Sequence, residues 1–177
     1  PMHVTAAATQ NRLFGMRLLV VEDNVINQQV AQELLVREGA TVVLADNGQI
    51  CVELLQKDAD AFDLVLMDMQ MPVMDGLQAS HAIRNRLHLH DLPIVAMTAN
   101  AMAADREACL AAGMNDHVGK PFDLAHLVRT LLRWAGGAVR PFTLDAGVPP
   151  QATHSPRVDV KTIATTSINT SVEGKKE

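Results

Sequence analysis

The 177-residue sequence contains two cysteines, no tyrosine and no long apolar run. Cys51 and Cys109 lie far apart, without the spacing of metal ligands, which favours reduced thiols in a cytosolic compartment. No apolar run reaches the roughly 18–20 residues that a membrane span needs. These absences argue against a cysteine-based metal site and against a membrane-spanning segment. We expect a cytoplasmic domain that makes no direct membrane contact, although its parent protein can carry a membrane anchor elsewhere.

The chain also lacks an excess of basic residues. It has 15 Lys and Arg against 20 Asp and Glu, a net charge of −5. Residues 1–135 carry 10 basic and 16 acidic residues, a net −6, whereas residues 136–177 carry 5 and 4, a net +1. A nucleic-acid-binding domain normally shows a basic stripe, so nucleic acid is not an expected partner. The hydrophobic fraction of 48% is ordinary for a globular core and excludes wholesale disorder.

The hydrophobic pattern divides the chain into three parts. Residues 1–15 show no sustained period and are predicted to form a flexible leader or linker. Residues 136–177 contain Gly-Gly and Pro-Pro pairs and become rich in Ser and Thr, which predicts a flexible tail or linker. Residues 16–135 hold the periodic segments and are predicted to form a single domain.

Short apolar runs alternate with helical patterns across that domain. The predicted strands are Leu18–Val21, Thr41–Ala45, Leu64–Met67, Ile94–Met97 and His117–Val118. Most of these runs are continuously apolar, which is typical of strands buried on both faces. Ile26, Val30 and Leu34 form a predicted helix stripe after the cap Asn24, and Asp123 opens the last predicted helix. The pattern predicts an α/β fold, a doubly wound five-stranded parallel sheet with helices on both faces.

Polar residues follow four of the predicted strands at the point where each strand ends. They are Glu22 and Asp23, Asp68, Thr98 and, after a glycine, Lys120. The carboxyl ends of parallel strands share one edge of a sheet, where open α/β folds place their sites. We therefore expect three carboxylates, one hydroxyl and one ammonium group in a single cleft, although strand-end caps and solvated loop acids give the same pattern.

Three close carboxylates repel one another unless a cation neutralises them. Oxygen ligands without His or Cys favour Mg²⁺ over zinc. A magnesium ion beside a lysine and a hydroxyl is suited to phosphoryl groups, and a carboxylate can itself be the nucleophile. Asp68 is the candidate nucleophile because it ends the central apolar run and precedes an exposed loop.

Four segments carry a family resemblance: VVEDNVIN, LVLMDMQMPVMDG, PIVAMTANA and GKPFD. In this order and spacing they resemble the receiver domain of two-component response regulators. The pair Asn24 and Asn27 and the MDMQMPVMDG loop resemble most the receivers attached to hybrid sensor histidine kinases. The resemblance implies a flavodoxin-like strand order, 2-1-3-4-5, and a phosphoryl donor that is a histidine kinase core or a histidine phosphotransfer domain.

The resemblance also implies roles for single residues. Asp68 is the expected phosphoacceptor, and Thr98 and Lys120 are expected to contact phosphoryl oxygens. The implied magnesium ligands are Glu22, Asp23, Asp68 and the backbone carbonyl of Gln70. The amides of Met69 and Ala99 are expected to assist, and Lys120-Pro121 corresponds to a peptide bond that is often cis in the family.

Two other functions fit part of the pattern. A Mg²⁺-dependent aspartate-nucleophile phosphatase shares the nucleophile, but such enzymes usually need a second acid two residues later, where this chain has Gln70. A degenerate receiver that only binds partners is disfavoured by the intact polar set. One position departs from the family: His117 stands where receivers usually have Tyr or Phe, which puts the aromatic form of their conformational switch in doubt.

Overall fold

The computed structural model describes residues 11–99 and 103–136, in which strands and helices alternate. The strands are β1 (Arg17–Val21), β2 (Thr41–Ala45), β3 (Leu64–Asp68), β4 (Ile94–Thr98) and β5 (Asp116–Gly119). The helices are α1 (Val25–Arg37), α2 (Gly48–Lys57), α3 (Gly76–Asn85), α4 (Ala103–Ala111) and α5 (Leu124–Trp134). A short 3-10 helix, Ala59–Ala61, precedes β3. Within these residues no helix is long and apolar enough to cross a membrane.

The five strands form one parallel sheet in the order β2-β1-β3-β4-β5. In the register, Leu19 of β1 lies between Val43 of β2 and Val65 of β3. The doubly wound fold and its 2-1-3-4-5 order are therefore confirmed. Each predicted strand coincides with an observed one to within a residue at either end, because continuous apolar runs mark strands covered on both faces.

Two apolar layers enclose the sheet. On one face, alternate strand residues such as Val20 and Leu66 pack with Leu35 of α1 and Leu131 of α5. On the other face, residues such as Val65 pack with α2, α3 and Cys109 of α4. Both layers close over β1, β3 and β4, so these central strands are buried along nearly their whole length.

Helix α1 shows a different face to the core from the one predicted. Ile26 and Val30 of the predicted stripe are 70% and 45% exposed, and the buried residues of the helix are Gln28, Ala31 and Leu35. The reason is a polar contact: the Gln28 amide donates to the backbone carbonyl of Glu22 (2.6 Å), which turns that side of the helix inward. Gln28, Ala31 and Leu35 thus form the inner face of α1, whereas Ile26 and Val30 of the predicted stripe face solvent.

The packed region begins before residue 16. Leu13 is fully buried, and Arg12 forms a two-pronged ion pair with Glu38 at 2.7 and 2.8 Å. Residues 11–15, assigned to a leader from the sequence, therefore pack against the end of α1. The remainder of that predicted leader and the predicted tail lie outside the described residues, apart from Gly136.

Arg84 of α3 joins three parts of the chain. Its guanidinium group donates to the carbonyl of Gly113 (2.9 Å), to the carbonyl of Leu89 and to the side chain of Asn115 (3.1 Å). Asn115 Oδ1 also accepts from the amide of Ile94 (2.9 Å), at the start of β4. The turn that leads into β5 is therefore held against α3 and β4, which fixes the strand that carries Lys120 to the site.

We expect Arg84→Met to reduce the free energy of unfolding by about 1–3 kcal/mol, because it removes three hydrogen bonds to partly buried acceptors. Urea unfolding followed by far-ultraviolet circular dichroism measures the change. Arg86→Met, an exposed position two residues later, is the matched control and should change stability by less than about 0.5 kcal/mol. Equal stability of the two variants would show that the Arg84 contacts contribute nothing.

Candidate functional site

The polar residues predicted from the sequence meet at one edge of the sheet. Glu22 and Asp23 follow β1, Asp68 ends β3, Thr98 ends β4, and Lys120 follows β5. All five line the same open pocket. The backbone amide of Lys120 donates to the carbonyl of Thr98 (2.8 Å), which joins the carboxyl ends of β4 and β5.

Three carboxylates form the acidic part of the site. One oxygen each from Glu22, Asp23 and Asp68 lie within 4.8 Å of one another. In the described part of the chain, this is the group of side chains with the geometry to hold a metal ion. Glu22 and Asp68 are buried and Asp23 is exposed, so a cation can approach from the solvent side. An oxygen-only donor set fits a hard divalent cation.

Lys120 bridges two of these carboxylates. Its Nζ lies 2.5 Å from Glu22 Oε2 and 3.0 Å from Asp68 Oδ2. Burial alone lowers the pKa of Lys120, but hydrogen bonds to Glu22 and Asp68 outweigh it and hold the pKa above the ordinary lysine value. The lysine therefore stays charged and neutralises one of the three negative charges.

The negative charge of Asp68 remains unfavourable despite its pairing with Lys120. Burial raises the pKa of Asp68 above the ordinary aspartate value, and the ammonium group of Lys120 offsets only part of that effect. The backbone amide of Gln70 lies 3.4 Å from Asp68 Oδ1 and is a long, weak donor. Asp68 is thus a half-neutralised carboxylate at the floor of an open pocket, which suits a nucleophile.

The loop after Asp68 is held close by Gly76. A Cβ atom at Gly76 would lie 2.2 Å from the backbone carbonyl oxygen of Asp68, so only glycine fits there. The amide of Met69 donates to the carbonyl of Met97 (3.3 Å) rather than into the pocket, which differs from the role implied by the family resemblance. Ala99 lines the pocket, and the Lys120-Pro121 peptide bond is cis, as the resemblance implies.

The Thr98 hydroxyl group is buried and has no hydrogen-bond partner among the described residues. A buried hydroxyl without a partner carries a desolvation cost of about 1–3 kcal/mol. Such an atom beside an acidic pocket fits a ligand that brings acceptor oxygens, and a phosphoryl group has three. His117 on β5 lies elsewhere: its Nδ1 is 3.7 Å from Asp116 Oδ1, and its side chain is partly exposed.

Two side chains of α1 that the sequence analysis gave no role also contact Glu22. The Asn27 amide donates to Glu22 Oε1 (3.1 Å), and the Gln28 amide donates to the Glu22 backbone carbonyl. The Gln28 amide also donates to Asp46 Oδ1 (2.8 Å), which links the ends of β1 and β2. Their positions one turn after the acidic pair are the sequence signal that identifies them.

A site at this edge of a 2-1-3-4-5 sheet defines a flavodoxin-like α/β protein whose ligands bind where the strands end. A family model of the response regulator receiver domain matches residues 18–132, more than half of the sequence. The chain belongs to the response regulator receiver domain family.

Relatives in sequence and in structure agree with this assignment. The sensor histidine kinase GacS of Pseudomonas protegens is 44% identical over 127 residues, which cover 70% of this chain and 14% of GacS. The receiver domain of the sensor histidine kinase PA1611 from Pseudomonas aeruginosa, solved with magnesium in its active-site cleft, is 43% identical with a TM-score of 0.63. That match covers 69% of this chain and 98% of the PA1611 domain.

A second solved structure shows a receiver with a partner. It is the co-crystal of the Saccharomyces cerevisiae phosphotransfer protein Ypd1 with the receiver domain of Ssk1. The matched chain is 31% identical with a TM-score of 0.64, over 72% of this chain and 94% of that one. The chain described here thus spans the length of solved receiver domains, but only a small fraction of the length of GacS.

We expect Asp68→Asn to stabilise the fold at pH 7 by about 1 kcal/mol, because it removes one of three crowded negative charges. The pKa of Asp68 is raised in the folded state, so its ionisation opposes folding above that pKa. The gain should shrink as pH falls and disappear below about pH 4, where the carboxyl group is protonated in both states.

Urea unfolding without divalent cations at neutral and acidic pH measures this difference. Asp91→Asn, which removes an exposed acidic charge outside the pocket, is the matched control. A loss of stability in Asp68→Asn at pH 7 would show that pairing with Lys120 outweighs the repulsion.

Proposed function

We propose that this receiver domain accepts a phosphoryl group from a phosphohistidine onto Asp68, with Mg²⁺ bound by the acidic cluster. The observation that supports this proposal is the convergence of Asp68 with two further carboxylates, the Lys120 ammonium group and the buried Thr98 hydroxyl. Each of these groups has a use in binding or transferring a phosphoryl group.

In the proposed transfer, a carboxylate oxygen of Asp68 forms a bond to phosphorus while the phosphorus–nitrogen bond of the donor breaks. The imidazole leaves with the electron pair of that bond and takes up a proton. Lys120, now 3.0 Å from Asp68, pairs with one phosphoryl oxygen. The Thr98 hydroxyl donates to another, which satisfies a donor that is buried without a partner in the described part of the chain.

The proposed ligands of Mg²⁺ are the carboxylates of Glu22, Asp23 and Asp68 and the backbone carbonyl of Gln70. Three carboxylates and one lysine leave a formal charge of −2 in the pocket, which a divalent cation cancels. Bound Mg²⁺ neutralises charge on the phosphoryl oxygens and so allows an anionic donor to approach the acids. The magnesium ion in the PA1611 receiver supports this choice of metal.

The proposed setting is a phosphorelay of a hybrid sensor histidine kinase. The likeness to GacS supports a kinase as the parent protein, and the Ypd1–Ssk1 complex supports a phosphotransfer partner. The phosphoryl donor is then a histidine kinase core or a histidine phosphotransfer domain. We place the domain in the cytoplasm, whether or not the parent protein is membrane-anchored.

The phosphoryl donor is proposed to dock on the exposed apolar side chains at the amino end of α1. Val25 and Ile26 are 63% and 70% exposed, and they flank Asn24 and Asn27, which line the pocket. A protein that delivers a histidine to Asp68 must contact the surface beside the pocket, where these side chains lie. The exposed Val25 and Ile26 side chains provide apolar contact area for a docking protein beside the pocket.

The output is proposed to be a change of surface rather than release of a product. Thr98 and Lys120 move toward the phosphoryl group, and they precede α4 and α5 in the chain. Two or three charge-assisted hydrogen bonds provide a few kcal/mol, enough to invert a two-state population of roughly 1:10. The surface of α4, β5 and α5 is therefore the proposed site of the change.

Intact-mass measurement tests the proposed function directly. Acetyl phosphate with Mg²⁺ should add one phosphoryl group to the wild-type protein, none to Asp68→Asn, and one to the control Asp91→Asn. Chelation by EDTA should abolish the adduct, because the carboxylates then repel the donor. An adduct of equal yield in Asp68→Asn or in EDTA would show that the acceptor or the metal is assigned wrongly.

A second variant tests the docking surface. Ile26→Glu should slow transfer from a phosphorylated histidine phosphotransfer domain about tenfold, the effect of roughly 1.4 kcal/mol of docking free energy. Phosphorylation by acetyl phosphate, which needs no protein docking, should stay within about twofold of wild type. Val43→Glu, an exposed position on β2, is the control. If both donors slow equally, the change acts on the pocket and not on docking.

A further inference from the structure

We propose that Asn27 is a positioning residue for the metal site, because its side-chain amide holds the Glu22 carboxylate in the orientation that Mg²⁺ needs. This inference rests on the proposed function. Asn27 belongs to the Asn24–Asn27 pair that stands out in the sequence, and neither the acceptor nor the ion-pair chemistry described above uses its side chain.

The two oxygens of Glu22 have different partners. Oε2 accepts from the ammonium group of Lys120 at 2.5 Å. Oε1 accepts from the backbone amide of Asn24 (3.2 Å) and from the side-chain amide of Asn27 (3.1 Å). Because an ionised carboxylate only accepts hydrogen bonds, Asn27 must present its nitrogen and not its oxygen to Glu22.

The start of α1 places both donors. Asn24 caps the helix: its Oδ1 accepts from the amides of Ile26 (2.9 Å) and Asn27 (3.1 Å). This cap fixes the first turn and directs the Asn24 amide and the Asn27 side chain to the same oxygen of Glu22. Gln28, in the same turn, holds the backbone carbonyl of Glu22 at 2.6 Å. Side chain and main chain of the acid are thus both set by one helical turn.

For metal binding, the absence of a charge on the Asn27 side chain matters as much as its hydrogen bond. Glu22, Asp23 and Asp68 with Lys120 leave the formal charge of −2 that suits a divalent cation. A lysine or arginine at position 27 would supply the hydrogen bond and also a second internal cation, in competition with the metal. An amide donor holds the carboxylate and leaves the charge available to Mg²⁺.

Lys120 would otherwise dominate the orientation of Glu22. It is the one charged partner of that carboxylate among the described residues, so it adds the attraction of opposite charges to its hydrogen bond. Without Asn27, only the backbone amide of Asn24 opposes rotation of the carboxylate toward Lys120. That rotation would change the arrangement of the Glu22, Asp23 and Asp68 oxygens, one of each of which now lie within 4.8 Å of one another.

The first test replaces the amide with an apolar group of similar size. Asn27→Leu should weaken Mg²⁺ binding, measured by isothermal titration calorimetry, about tenfold, the usual scale for loss of a ligand's supporting hydrogen bond. In acetyl phosphate reactions the Mg²⁺ concentration for half-maximal rate should rise by the same factor. The rate at saturating Mg²⁺ should stay near wild type, a split that general destabilisation does not produce.

Two variants separate the amide from other properties of the position. Asn27→Gln keeps an amide donor on a half-exposed side chain and should keep most of the affinity. Gln29→Leu makes the same chemical change two residues later, on the exposed side of α1, and should bind Mg²⁺ as wild type does. If Asn27→Gln loses as much affinity as Asn27→Leu, the amide is not the active feature and the inference fails.

A double-mutant cycle with Glu22→Gln completes the test. With the carboxylate replaced, Asn27→Leu should cause no further loss of Mg²⁺ affinity, because the group that it positions is gone. An equal loss in both backgrounds, or unchanged or tighter binding in Asn27→Leu alone, would overturn the inference. Failure of the proposed function has a different signature, since the wild-type protein would then bind Mg²⁺ but gain no phosphoryl group.

Discussion

Repulsion between three carboxylates is the constraint on which this structure depends. Glu22, Asp23 and Asp68 end two neighbouring strands, so the sheet itself forces their oxygens to within 4.8 Å. Lys120 reduces the repulsion and leaves part of it, and burial adds to the energetic cost of the Asp68 charge. The electrostatic interactions of the domain are therefore unfavourable at the site where it is proposed to react. Binding of a cation, and then of a phosphoryl group, relieves a cost that the folded chain already carries.

The fold can hold these charges because its core is apolar on both faces. The central strands are buried almost completely, and polar groups enter only at their carboxyl ends. Local contacts then position two of the acids. The first turn of α1 donates hydrogen bonds to Glu22, and the absence of a side chain at Gly76 lets the following loop pack against the backbone of Asp68. Such a site needs no rigid enclosure, since the strand ends determine where its atoms lie.

Much of this arrangement follows from the sequence because its signals are local. Apolar runs that end in polar residues mark the strand ends, and on this basis alone Asp68, Thr98 and Lys120 are expected together at one edge of the sheet, where the structure has them. The orientation of α1 was predicted wrongly, since a periodicity argument ranks Ile26 above a glutamine as a core residue. In the observed orientation Gln28 bonds to the residues that follow two different strands, and periodicity does not contain that information.

The contact between Lys120 and Glu22 spans 98 positions of sequence, and that between Arg12 and Glu38 spans 26. The first was anticipated in outline because both residues lie at strand ends, where the topology of a parallel sheet makes them neighbours. The second was not anticipated, because no rule of topology places a residue that precedes the first strand. What sequence reasoning misses here are pairings that depend on how helices and flanking segments rest on the sheet.

The attachment of α3 to the turn before β5 has a mechanical consequence. Ser80 and Arg84 bond to the carbonyls of Ala112 and Gly113, just after the carboxyl end of α4. Among the described residues, these two bonds join α3 to the chain beyond the carboxyl end of α4, whereas the amino end of α4 follows Thr98 in the chain. A pull on Thr98 would then turn α4 about a fulcrum at Gly113, as a lever, rather than shift the whole helix. The displacement would be largest at the amino end of α4, which begins at Ala103, and smallest beside Arg84.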